Sequence, residues 1–146
     1  MFLMDRAAIA ALIPHAGAMC LLDGVLDWNA TSLCGVSRRF ADADNPLLRP
    51  DGTLGAASGI EIAAQAMALH ARLLAGQGEK PAQGMLASLR NVRLATRQIN
   101  KAAGELLIEA QLLLGDHTGA TYRFALYQAG ETLISGRATV LLRVPA

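Results

Sequence analysis

Gly55-Ala-Ala-Ser-Gly-Ile-Glu-Ile-Ala-Ala-Gln-Ala-Met-Ala-Leu-His-Ala-Arg-Leu-Leu-Ala75 is the stretch whose reading decides the architecture. Alanine dominates it, β-branched residues are few and proline is absent, so helix propensity is high throughout. Gly76, Gly78 and Pro81 follow and end the helix. A helix that is apolar almost all round must be enclosed rather than laid on a surface. Glu61, Gln65, His70 and Arg72 interrupt the apolar run at depths that make it a poor membrane span.

Upstream, Met4 to Leu12 reads as a short helix, with Asp5 near its start and Pro14 beyond its end. Met19 to Trp28 and Thr31 to Phe40 read as strands separated by Asn29-Ala30. A loop rich in Asp, Pro and Gly runs from Ala41 to Leu54. Downstream of the long helix the pattern is all-β: Gly84 to Ile99, Gly104 to Leu114, Thr121 to Gln128 and Glu131 to Val144. Gly115-Asp116-His117-Thr118-Gly119 and Ala129-Gly130 supply turns between the last three. One long helix set among antiparallel strands is an α+β architecture. A curved antiparallel sheet wrapped around the central helix satisfies it, as a single domain over residues 1–146.

Hydrophobic residues make up 53% of the chain and mean hydropathy is +0.32. A chain this short and apolar is expected to hide surface against a partner subunit. Net charge is +1, which argues against a nucleic-acid binder, because phosphate-backbone recognition needs a clear basic excess. Cys20 and Cys34 lie in strand-like runs without metal-ligand spacing and read as core thiols of a reduced compartment. Asp5 and Arg6 precede an apolar run, Ala7 to Ile13, that Pro14 and His15 interrupt, unlike a secretion signal. The expected setting is cytoplasmic, with no membrane and no nucleic-acid partner.

Between Ser58 and His70 the polar side chains are Glu61 and Gln65, and no neighbouring cation stands ready to pair with Glu61. A carboxylate desolvated without a partner holds its proton more tightly, which suits a general acid. Gln65 is four residues on, hence on the same face, and is expected to orient the acid. The alternative is a first-turn glutamate that complements the helix dipole in solvent. His70, nine residues beyond Glu61, cannot share its face. His117 falls in a hairpin turn, and His15 follows the short first helix. Gly55-Ala-Ala-Ser-Gly is not a nucleophile elbow, since the serine sits one place off. Asp42, Asp44 and Asp51 do not form a calcium loop, and Cys20 has no base positioned by sequence. Arg90, Arg93 and Arg97 are close together and read as a solvated strand face, with an acidic carrier protein or phosphopantetheine as the alternative reading.

Ile13-Pro-His-Ala-Gly-Ala-Met-Cys-Leu-Leu-Asp-Gly-Val-Leu resembles the opening of hotdog 3-hydroxyacyl-[acyl carrier protein] dehydratases, which read roughly L-P-H-R-x-P-x-L-L-x-D-R-V. Asn45-Pro-Leu-Leu, a glycine-containing loop, then Gly59-Ile-Glu-Ile-Ala-Ala-Gln-Ala resembles their N-P-x-F…G-[IV]-x-x-[ED]-x-[MA]-A-Q-A segment. The likeness covers the first half of the chain and is to the subgroup of aryl-polyene and related lipid pathways; the later strands agree in pattern. It implies a hotdog fold, a homodimer or hotdog heterodimer with acyl tunnels at the interface, and conversion of a 3-hydroxyacyl thioester to the 2-enoyl thioester. The family's carboxylate falls on Glu61. Its loop histidine has no counterpart, as residues 44–59 contain no histidine; in the subgroup, the histidine after the first helix takes that place, which is His15.

On that basis His15 is expected to remove the α-proton while Glu61 protonates the departing 3-hydroxyl, with Gln65 holding Glu61. Backbone amides of Ser58 and Gly59 at the helix start would polarise the thioester carbonyl. Neither metal nor organic cofactor is expected, because the thioester itself acidifies the α-proton. The substrate is expected on acyl carrier protein, with coenzyme A as the other carrier. Two rivals stand beside this reading: a hotdog acyl thioesterase using the helix carboxylate to activate water, and a non-catalytic subunit that scaffolds a catalytic hotdog partner.

Overall fold

A computed structural model describes residues 2–13, 19–76, 83–116 and 118–143. The chain runs β1 (Met4–Asp5), α1 (Arg6–Ala10), β2 (Gly24–Trp28), β3 (Ser32–Ser37), α2 (Ser58–Ala75), β4 (Gln83–Leu94), β5 (Leu106–Gly115), β6 (Gly119–Gln128) and β7 (Glu131–Arg143). The seven strands form one antiparallel sheet in the order β1-β2-β3-β5-β6-β7-β4. Helix α2 packs on β3, β5 and β6. This is the expected α+β hotdog arrangement, a curved antiparallel sheet holding one long helix.

The core lies between α2 and the inward face of the sheet. Ile62, Met67 and Leu69 are buried against residues such as Leu33, Ile108, Phe124 and Leu126. Each such side chain contributes about 1.5–3 kcal/mol of transfer free energy. Gly59 sits close against the sheet: a Cβ there would stand 2.3 Å from Ile134 Cδ1 and 3.1 Å from Leu126 Cδ2, so any side chain would make these terminal methyl groups shift. The helix ends at Gly76, whose φ of +77° suits glycine.

The expectation of all-round enclosure holds on one side only. Ala57 is exposed, and Glu61, Ala64, Ala68 and Arg72 are half-buried. Their spacing of three and four places them along one stripe of α2 that this chain's own sheet does not cover. Helical periodicity alone could not reveal this, because alanine reads as apolar on a covered and an uncovered face alike.

Several boundaries move for identifiable reasons. Residues 19–23 of the first expected strand are not strand; Leu21 N–H bonds instead to the Gln65 side chain at 3.0 Å. The next strand stops at Ser37 because the Asp23 carboxylate accepts from the N–H groups of Arg38 and Arg39. That turns the chain into a 3-10 turn over Arg39–Ala41. β4 ends at Leu94 rather than Ile99. Residues 97–99 pair with the loop before α2, through Ala56 N–H to Arg97 O (2.9 Å) and Ile99 N–H to Leu54 O (2.9 Å).

β4 is an edge strand with two register shifts, between Leu86 and Ser88 and between Arg90 and Arg93. Its Leu86, Leu89 and Leu94 stand opposite the buried Val140, Ala138 and Ile134, yet remain exposed. Of the two cysteines, Cys20 is buried as expected, whereas Cys34 is half-buried, opposite Glu109 on β5. Burial pushes both thiols above their ordinary value. No helix among the described residues is long and apolar enough to cross a membrane.

Candidate active site on the central helix

Glu61 sits in the first turn of α2. It is half-buried on the stripe turned away from the sheet rather than enclosed in the core. An α-helical rise of about 1.5 Å per residue puts it roughly 6 Å along the axis from Ala57. Its neighbours on the stripe, Ala57 and Ala64, have only methyl groups, and the next charged group along it is Arg72, near the other end of α2.

Gln65 does something other than orient Glu61. It is fully buried. Its amide oxygen accepts from Leu21 N–H at 3.0 Å, and its amide nitrogen donates to Met19 O at 2.7 Å. The glutamine therefore locks the main chain of residues 19–21 against the helix. That segment begins four residues after His15 in sequence. His15 itself lies outside the described residues, as does His117.

The amides expected to form an anion hole are engaged. Ser58 N–H donates to Gly55 O at 3.0 Å and Gly59 N–H to Ala56 O at 2.9 Å. Helix α2 starts as the continuation of a tight turn, its N-cap Ala57 already in αR geometry and without a side-chain cap. The N–H of Ala57 has no acceptor among the described residues, which makes it the donor at this helix start with capacity to spare. Ala57 lines a groove of about 710 Å³ together with Arg49, Leu94, Thr96 and Arg97. The Arg49 guanidinium lies over Gly55, where a Cβ would stand 2.6 Å from it. Sequence reading missed Arg49, which is folded back toward the helix start by the turn in which Arg49 N–H donates to Thr53 O (2.8 Å) and Gly52 N–H donates to Arg49 O (2.9 Å).

His70 faces the opposite side of α2, as expected. Its Nε2 donates to Asn29 O and its Nδ1 accepts from the Tyr122 hydroxyl, both at 2.8 Å, because the carbonyl can only accept. The ring also meets Tyr122 and Trp28 edge-on. Burial lowers the His70 pKa and raises that of Tyr122. This is a neutral, fully bonded core histidine that ties α2 to β6 and to the β2–β3 turn. Asn45, within the quoted Asn-Pro motif, has a similar structural duty: its amide donates to Phe40 O and its oxygen accepts from Leu47 N–H. No group of three or more His, Cys, Asp or Glu side chains among the described residues is arranged to hold a metal.

No curated protein sequence matches the chain. Among solved structures it is similar to the dehydratase heterocomplex ApeI:P from Xenorhabdus doucetiae, with TM-score 0.83 and 24% identity over 94% of this chain and 91% of that one. It is also similar to a mutant thioesterase from Pseudomonas aeruginosa, with TM-score 0.68 and 15% identity over 99% and 96% of the two chains. A thioesterase from Haemophilus influenzae follows, with TM-score 0.65 and 11% identity over 95% and 90%. At these identities the likenesses establish the hotdog fold. Residues 7–143 match the family described as ApeP-like, ApeP dehydratase. With nearly the whole chain matched, this protein belongs to the ApeP-like dehydratase family.

Proposed function

We propose that the chain takes part in dehydrating a 3-hydroxyacyl thioester, carried on acyl carrier protein, to the 2-enoyl thioester, with Glu61 as general acid. The observation that carries this reading is the placement of the one carboxylate of α2 on its half-buried, alanine-rich stripe, in a member of a dehydratase family. The C2–H bond breaks as a base takes the proton, and the electron pair forms the C2=C3 double bond. The C3–O bond breaks as Glu61 supplies the proton that turns the hydroxyl into water. His15 is the base in this reading. Ala57 N–H, rather than the engaged amides of Ser58 and Gly59, is the donor for charge developing on the thioester oxygen. Gln65 acts as a positioning residue through residues 19–21. A cytoplasmic setting belongs to the same reading.

The likeness to a dehydratase heterocomplex and the uncovered stripe favour one second reading, in which this chain is a partner subunit and the reacting carboxylate comes from another hotdog chain. Both readings are tested by Glu61→Gln, assayed alone and with a hotdog partner by mass analysis of the thioester. Loss of enoyl thioester formation with folding intact supports Glu61 as the acid. Unchanged dehydration rejects it and favours the subunit reading. Release of free acid and thiol in place of enoyl thioester would instead mark a thioesterase.

A further inference from the structure

The face of the sheet turned away from α2 carries an arrangement that the chemistry proposed for Glu61 does not use. Arg90 on β4 stands directly opposite Arg137 on β7, and Arg137 directly opposite Arg123 on β6. Three guanidiniums thus cross three neighbouring strands in one row. All three residues are exposed, while Tyr122, Phe124 and Ala138 beside them in the chain point inward and are buried. One row along, Ser88, Thr139 and Thr121 repeat the alignment, and the two threonine hydroxyls lie 3.3 Å apart. Between the rows is a cavity of about 220 Å³ lined by Ser88, Arg90, Thr121, Arg137 and Thr139.

Like charges directly opposite each other on adjacent strands destabilise a sheet. Arg38 and Arg39 elsewhere in the chain are paired with Glu105, Asp23 and Asp42. Arg90, Arg123 and Arg137 form no ion pair among the described residues. Every residue lining the cavity brings a hydrogen-bond donor and none brings a carboxylate. The β4 bulge adds to the pattern. Arg90 and Arg93 are three apart, which in a regular strand would send them to opposite faces. The extra residue, with Asn91 at φ +53°, brings Arg93 opposite Ser135 and so onto the same outward face.

Two guanidinium forks one strand spacing apart, with three hydroxyls below them, suit a tetrahedral dianion better than a planar carboxylate or an extended polyanion. We propose that this cavity binds a phosphate group between Arg90 and Arg137, with Arg123 adding to the field. The phosphate is either free or the terminal group of a phosphate ester such as a phosphopantetheine arm; the recognising chemistry is the same.

Thermal unfolding of the full chain tests this, with inorganic phosphate titrated against sodium chloride at matched ionic strength. Wild-type protein is expected to gain melting temperature in a saturable way with phosphate. Arg137→Gln is expected to melt no lower than wild type in chloride, because the opposed charges are relieved, and to need about tenfold more phosphate or beyond for its gain. Arg90→Gln, on the edge strand, repeats the test should the first variant fold poorly. A further gain with 4′-phosphopantetheine over inorganic phosphate supports the site and assigns it to the ester; equal gains support it as a site for the free anion. The absence of a saturable gain in wild type, or identical titrations for wild type and both variants, overturns it.

Discussion

Replacing Gln65 by leucine removes two buried hydrogen bonds while keeping nearly the same volume, which separates polar from packing effects. The N–H of Leu21 would be left in the core without an acceptor, since Leu21 is 1% exposed. A stranded buried donor costs about 1–3 kcal/mol. The carbonyl of half-buried Met19 loses a donor at 2.7 Å but is nearer to water, so its loss falls at the low end, about 1 kcal/mol. Together the change costs about 2–4 kcal/mol, which for a domain of this size lowers Tm by roughly 5–15 °C. Urea unfolding followed by circular dichroism measures the stability; dehydration under conditions where the variant remains folded measures the second consequence. Loosening residues 19–21 is expected to lower kcat more than it raises KM, because the segment after His15 is positioned rather than in contact with substrate. A stability loss under about 0.5 kcal/mol, or full turnover by a folded variant, would refute the reasoning.

Lowering pH should destabilise the fold through His70. Its folded pKa is depressed by burial, so the folded state binds fewer protons than the unfolded one. Stability is full above the unfolded value near 6.5 and falls as pH drops below it, by up to about 1.4 kcal/mol per pH unit. Urea midpoints between pH 7.5 and 5 should therefore show a steeper decline in wild type than in His70→Gln. Gly59→Ala should destabilise by about 1–2 kcal/mol despite the better helix former, because the new methyl meets Ile134 and Leu126; denaturant unfolding reads it. Tyr122→Phe strands the acceptor Nδ1 of buried His70 and should cost about 1–3 kcal/mol in the same measurement.

The long helix and the four later strands are legible because their signals are local: alanine content in the one, glycine and turn punctuation between the others. The β6 and β7 strands match to within two residues at the ends. Misreadings arose where a distant group redirected the chain, as Gln65 does at Leu21 and Asp23 does at Arg38 and Arg39. Glu61 stands out in the sequence because it interrupts an apolar run, but it is half-buried rather than enclosed, since periodicity does not distinguish which side of an alanine helix is covered. Gln65 stands out in the sequence for its spacing from Glu61; its partners, 44 and 46 residues away, leave no trace in local pattern. The arginine row was hidden for the same reason. Sequence proximity groups Arg90 with Arg93 and Arg97, whereas strand register groups it with Arg137 and Arg123.

The rim strand β4, 12 residues long, leaves one side of its peptide groups without a neighbouring strand among the described residues and presents three leucines beside them. Such a border is a template for indiscriminate association during synthesis, when no matching chain is at hand. The two bulges distort its ladder, and Arg90 and Arg93 carry positive charge along it, so this border is a poorer template for such pairing than a flat apolar strand would be.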